Sequence, residues 1–411
     1  MTTVSPAAAA DALLAELVAT PEGRADPYHR YATLRAQAPV HQSMFGFWAL
    51  TRFEDCQQLL RLSGVGKDFS GAAASMGLTE AESAQQARFR TDRSNMLLAD
   101  PPDHTRLRGL VTRAFTPRTI ETLRPRVLAL VDDLLDEFGT GEVEFMDALA
   151  FPLPVTVIGD MVGVPVEDRA ALRPLVRSVT AILELAVTPE AMAEATAADE
   201  TLTEYFAGLV AERRARPQED LLSLLIEAED KGEKLSEREL ISTAILLFAA
   251  GFETTTHLLG NGLLALLRNP DQLARVRADR TLVRPAVEEL LRYDSPVQLA
   301  ARTAYEDLSI GGHDIASGSI VLAVLGAANR DPARFTDPDR LDVGRDEGGP
   351  ISFGGGIHFC LGAALARMEA QIVLDRLLDR FSTMELVGDQ PTHRDSLTLR
   401  GLVDLRVRFA A

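Results

Sequence analysis

The sequence predicts a mainly α-helical single domain with small β-sheets, on three observations. Apolar residues recur at helical spacing through most of the chain up to about residue 292. Short β-type runs come after that, Ser319–Val324 and Leu405–Phe409, with an earlier one at Phe47–Leu50. No Gly/Ser-rich linker and no internal repeat divides the 411 residues, and 46% hydrophobic with 25% charged content suits one large core. The domain is expected to span 1–411, with residues 1–20 as a flexible N-terminus.

The N-terminal stretch is Ala-rich but carries Asp11 and Glu16, so it reads as neither a signal peptide nor a membrane anchor. The longest apolar run, Ile245 to Gly251 with its neighbours, is too short to span a bilayer. Two cysteines give no disulfide framework. A soluble cytoplasmic protein is the expectation. The net charge of −18 argues against nucleic acid and anionic membranes as partners. Residues 103–126 stand out as locally basic, with six arginines, among them Arg106, Arg108 and Arg113, against Asp103 and Glu121.

A long helix is predicted over 236–268. Ser236 sits at an N-cap position with Glu239 three residues on, and Asn269-Pro270 closes the far end. Its apolar middle is interrupted by Ala250-Gly251-Phe252-Glu253-Thr254-Thr255. Further on, Glu289 and Arg292 place opposite charges three apart on one helical face.

The most informative stretch is Phe353-Gly354-Gly355-Gly356-Ile357-His358-Phe359-Cys360-Leu361-Gly362. Its glycines permit close backbone approach and let main-chain N–H groups face the sulfur. Leu361, Leu365, Met368 and Ile372 then follow at helical spacing, so a helix starts at the cysteine and aims its positive end at it. A lowered thiol pKa is expected. No Lys-Ser or Lys-Thr pair follows the glycines, which excludes a phosphate loop. Cys56, the other thiol, lies far off without a zinc-type spacing. What survives is a thiolate ligand for haem iron, whose push of electron density favours O–O cleavage.

Phe353 through Gly362 resembles the cysteine-ligand signature of the cytochrome P-450 superfamily, and further landmarks follow from about residue 20 to the end. The resemblance implies haem b held by Cys360, with Phe353 and Gly362 in the loop and His104, Arg108, Arg302 and His358 on the propionates. Segment 250–255 resembles the oxygen-activation helix: Gly251 leaves room for dioxygen, Thr254 hydrogen-bonds it, and Glu253, where Asp is also common, passes protons inward. Glu289 and Arg292 resemble the buried pair under the haem, completed by Arg340. A distal pocket is implied at 65–98, 175–195, Leu247–Gly251, Pro296–Ala300 and Leu397–Leu399. Phe248, Ala249, Ala250, Gly251, Val297, Gln298, Leu299 and Thr398 are its candidate lining, with a mobile entrance at Gly71–Gly77. The implied activity is insertion of one oxygen atom from O2 into a lipophilic small molecule such as a polyketide, macrolide or terpenoid. A haem-thiolate binding or sensing protein without turnover is the alternative, disfavoured by Glu253 and Thr254. Electrons are expected from an external ferredoxin and its NAD(P)H-dependent reductase, docking near Arg106 and Arg113. His29, His41, His257, His313 and His393 are read as ordinary structural or surface residues.

Overall fold

The structure, a computed structural model, describes residues 5–69, 95–112, 115–230, 233–388 and 390–411. The elements that place the site are α1 (Pro6–Ala19), α2 (Asp103–Thr112), α3 (Val166–Thr180), α4 (Pro189–Ala215), α5 (Glu237–Arg268), α6 (Val283–Tyr293) and α7 (Ala363–Arg380). The expected entrance at Gly71–Gly77 and Arg113 fall outside the described residues.

Helix α5 is the axle of the molecule. Its start is fixed by a capping box in which the Ser236 N–H donates to Glu239 Oε2 at 2.8 Å and the Glu239 N–H donates to Ser236 Oγ at 3.3 Å. It is apolar nearly all round, the pattern of a helix buried on every side. It packs against Pro152–Val162, α4, α6 and α7. Close approach is built in at Gly260, where a Cβ would come within 2.6 Å of Met146 Sδ.

The main sheet has the order β1-β2-β5-β4-β3, from Val40–Gln42, Phe47–Leu50, Val65–Gly66 (β3), Leu299–Ala304 (β4) and Ile320–Val324 (β5). Strand β5 runs parallel to β2 and antiparallel to β4, and all five of its residues are buried, as a central strand covered on both faces requires. The β-runs expected at residues 47, 319 and 405 are all strands, the last as Arg406–Ala410.

The N-terminus differs from expectation. Residues 6–19 form α1, capped by Ser5, and bury Ala10, Leu14 and Leu17 against Phe47, Leu299, Leu322 and Leu397. Its apolar stripe is a docking face for the sheet. Among the described residues no single helix is long and apolar enough to cross a membrane.

One buried group makes stability pH-dependent. Glu369 on α7 is 1% exposed, its Oε2 has no hydrogen-bond partner among the described residues, and burial pushes its carboxyl up to about 8. The folded protein holds a proton there that the unfolded chain gives up above its ordinary value of 4.5. The contribution of this group to stability therefore falls as pH rises from 4.5 to about 8, then levels. Glu369→Gln should change the melting temperature little at pH 5 and raise it by some degrees at pH 8, on the order expected of one or two kcal/mol in a chain this size. A difference independent of pH would refute the neutral-acid assignment.

Candidate active site

The cysteine loop is built by its glycines and its own backbone. Cys360 N–H donates to Phe353 O at 3.0 Å, and Gly354 N–H donates to Ile351 O at 2.9 Å. Gly354 and Gly356 have φ of 71° and 64°, and a Cβ on Gly356 would lie 2.1 Å from the Leu60 carbonyl oxygen. Such a residue must be glycine. Cys360 is solvent-accessible, unlike the buried Cys56, although protein surrounds it on most sides. Helix α7 begins at Ala363, with Gly362 as its N-cap residue. The Gly362 and Ala363 N–H groups and the charges of Arg108 and Arg367 favour the thiolate, but burial outweighs them and pushes the thiol up. Without the iron, desolvation of the anion is the largest influence on this thiol. A coordinated metal would offset it, since a ligating thiol is deprotonated outright.

Basic side chains converge beside this loop. The His104 and His358 ring centroids are 4.4 Å apart. Both nitrogens of His104, and Nε2 of His358, are buried without a hydrogen-bond partner among the described residues. Arg302 is 4% exposed and, among the described residues, donates only to the neighbouring Ala301 carbonyl, at 2.9 Å. Arg108 donates to Phe359 O at 2.6 Å, one residue from the cysteine. Lys67, which the sequence reading missed, is the charge felt most strongly by His358. Burial, then these neighbouring cations, hold His358 far below the usual imidazole range, and His104 is lowered by burial and then Arg108. Orphaned donors among cations are what a group carrying carboxylates would satisfy.

Across the core, the middle of α5 presents Ala250, Gly251 and Thr254 as accessible residues, with the partly accessible Leu246 one turn before them, while the residues between are buried. The Thr254 hydroxyl donates to Ala250 O at 3.0 Å, which leaves its lone pairs free to accept. Glu253 faces elsewhere. It is 4% exposed, and its carboxylate is bound by Arg394, a residue the sequence reading passed over. Arg394 also approaches His257 Nε2 at 2.8 Å. Burial and then Arg177 and Arg173 hold His257 down to about 3, so it is neutral and accepts from the guanidinium. Arg394 itself is lowered to about 10, chiefly by burial, and stays charged at neutral pH.

The sequence profile of the Cytochrome P450 family matches residues 177–405. Cytochrome P450 107B1 of Saccharopolyspora erythraea is 45% identical over 395 residues, covering 94% of this chain and 96% of the relative. This chain belongs to the cytochrome P450 family. The polyketide biosynthesis cytochrome P450 PksS of Bacillus subtilis is 38% identical over 94% of this chain and 96% of its own. The tirandamycin C-bound P450 monooxygenase TamI superposes with a TM-score of 0.83 at 40% identity, covering 94% and 98% of the two chains. The protein is accordingly a cytochrome P450 monooxygenase with the P450 fold, and the family's cofactor is haem b. The orphaned imidazole nitrogens, the underused Arg302 guanidinium and the accessible Cys360 fit a haem with two propionates.

Seen as a P450, the charge network under the site departs from the sequence reading. Glu289 and Arg292 form a bidentate pair at 2.7 and 2.8 Å, each side chain 1% exposed. The third charge is Arg345, at 3.1 Å from Glu289, and not Arg340. A turn in which Arg340 N–H donates to Asp337 O leaves the Arg340 side chain exposed and sends its carbonyl inward to accept from Arg292 and Arg345. The network holds the irregular stretch that leads into the cysteine loop.

Several pocket candidates also differ. Phe248 is a core ring, packed on Phe206 and Phe252. Gly251 gives room to Ile158, whose Cγ1 would meet a Cβ at 2.6 Å, so its missing side chain serves helix packing. Gln298 is buried with its amide nitrogen on Ser295 O and Tyr28 Oη, Leu299 packs toward α1, and the Thr398 hydroxyl donates to Leu183 O at 3.0 Å. Ala249 is buried at 7%. Ala250 and Val297 retain accessible surface. Arg106, expected at a docking surface, is paired with Glu239 at the start of α5 and lies near Asp103.

Proposed function

We propose that this P450 inserts one atom of dioxygen into a lipophilic small molecule of polyketide, macrolide or terpenoid type, in the cytoplasm, with electrons from a separate ferredoxin and reductase. The observation that carries the reading is the accessible trio Ala250, Gly251 and Thr254 in the buried middle of α5, with a hydroxyl on it and the buried Glu253 carboxylate next in sequence to that hydroxyl. When bound, haem supplies the activation of dioxygen. Cys360 would ligate its iron, and His104, Arg108, Arg302 and His358 would hold its carboxylates, with Lys67 adding to the field. Thr254 would orient a proton toward the reacting oxygen, and Glu253 would bring protons from water. Ala250 and Val297 offer an aliphatic wall that excludes water from the substrate. The bound tirandamycin C of TamI and the polyketide role of PksS support the substrate class.

The test is a panel of macrolactones, terpenoids and fatty acids, screened by the change in haem absorption and then by turnover with ferredoxin, reductase and reduced nicotinamide. At least one strong binder is expected to gain one oxygen atom. Tight binders that never gain oxygen, while nicotinamide is not consumed, would leave a binding protein.

A further inference from the structure

We propose that the segment Arg394–Thr398 couples the connection between α3 and α4 to the catalytic acid, with Glu184 as a positioning residue that acts on Glu253 through Arg394. The inference rests on Glu253 serving as the proton-passing group. Glu184 lies in that connection, residues 181–188, and its carboxylate accepts from the Leu397 N–H at 3.1 Å, from the Thr398 N–H at 3.2 Å and from the Ser396 hydroxyl. The Thr398 hydroxyl returns a bond to Leu183 O at 3.0 Å. Three consecutive residues are thus clamped by one carboxylate and its neighbour.

Two residues upstream, Arg394 holds Glu253 and His257 on α5. The stretch between the two clamps has little slack, since two residues reach at most ~7 Å. Nor is the stretch a loose loop. Arg394 N–H donates to Gly401 O at 2.9 Å, Gln298 N–H donates to Thr398 O at 3.0 Å, and Val297 bridges Leu399. Displacement of 396–398 is therefore passed to Arg394. Glu184 is also among the charges Arg394 feels, with a sign that favours the guanidinium, whereas Arg177 and Arg173 on α3 oppose it. The connection is held to residues 396–398 through Glu184 and Leu183, so a shift of the connection moves this segment and, with it, the guanidinium that holds Glu253.

The experiment uses the haem-loaded full chain and an azole that ligates haem iron as the pocket probe. Glu184→Ala should speed azole release about tenfold or more, on the loss of hydrogen bonds to a charged acceptor. It should also raise amide hydrogen exchange in 392–399 and in 250–258, and raise the fraction of reducing equivalents lost as hydrogen peroxide. Glu184→Gln, which keeps the size and one acceptor oxygen, should fall between. Arg394→Gln should raise the peroxide fraction while azole release stays within about twofold. If Glu184→Ala speeds release but leaves exchange at 250–258 and the peroxide fraction at parental values, the coupling is overturned and Glu184 is a latch only. If release itself is unchanged, the clamp is overturned as well. A parental Glu253→Gln enzyme would instead refute the role given to Glu253, and the exchange measurement would still decide the coupling.

Discussion

Cys360→Ser is expected to abolish monooxygenation and to remove the thiolate signature from the absorption of the reduced carbon-monoxide complex. The argument is one of ligand chemistry. The loop offers a single, solvent-accessible sulfur, and a thiol that ligates a metal is deprotonated outright. A serine hydroxyl is a harder and far more basic donor, and it neither ligates haem iron comparably nor pushes electron density toward oxygen. The cations around the loop are untouched by the substitution, so haem should still be retained in part. The decisive comparison is haem content against the carbon-monoxide spectrum. A parental spectrum at parental haem content would overturn the assignment of Cys360 as ligand.

How far the sequence reached can be argued from particular residues. The cysteine loop was legible because each requirement on it is local: left-handed glycines at 354 and 356, and a helix that begins at Ala363. Helix α5 was legible because its capping box and its apolar run are contiguous in the chain. What was not legible is long-range pairing of charges. Arg340 and Arg345 lie in one irregular stretch, and only the turn at Asp337 decides which presents its guanidinium to Glu289. Arg394 lies 141 residues beyond Glu253, in a segment whose composition signals nothing but a loop. The family resemblance also misled at Phe248 and Gln298, which sit in the implied pocket segments but turn toward the core because the neighbouring α4 and Tyr28 offer them partners. His257 shows the same limit, since a histidine on an apolar helix reads as ordinary until its neighbour is known to be an arginine.

Glu253→Gln and Thr254→Ala are expected to fail in different ways, and that difference tests the distal reading. Gln at 253 keeps size and shape but cannot exchange protons, so turnover should fall by ~10²-fold or more, the contribution of a positioned acid–base group. Ala at 254 removes the one hydroxyl on the accessible trio, so electrons should still be consumed while more of the oxygen leaves as hydrogen peroxide. Product formed per reduced nicotinamide, with peroxide measured alongside, separates the two. Stability must be separated as well. Glu253→Gln strands the Arg394 guanidinium, which remains charged at neutral pH in a largely buried place, and breaking such a pair costs about 3–5 kcal/mol. The double variant Glu253→Gln/Arg394→Gln removes that uncompensated charge, so its melting temperature should recover toward the parent. Turnover should not recover with it, because the proton-exchanging group is still missing. If the double variant regains both, the single variant was slow only because it was destabilised, and Glu253 is a structural partner of Arg394.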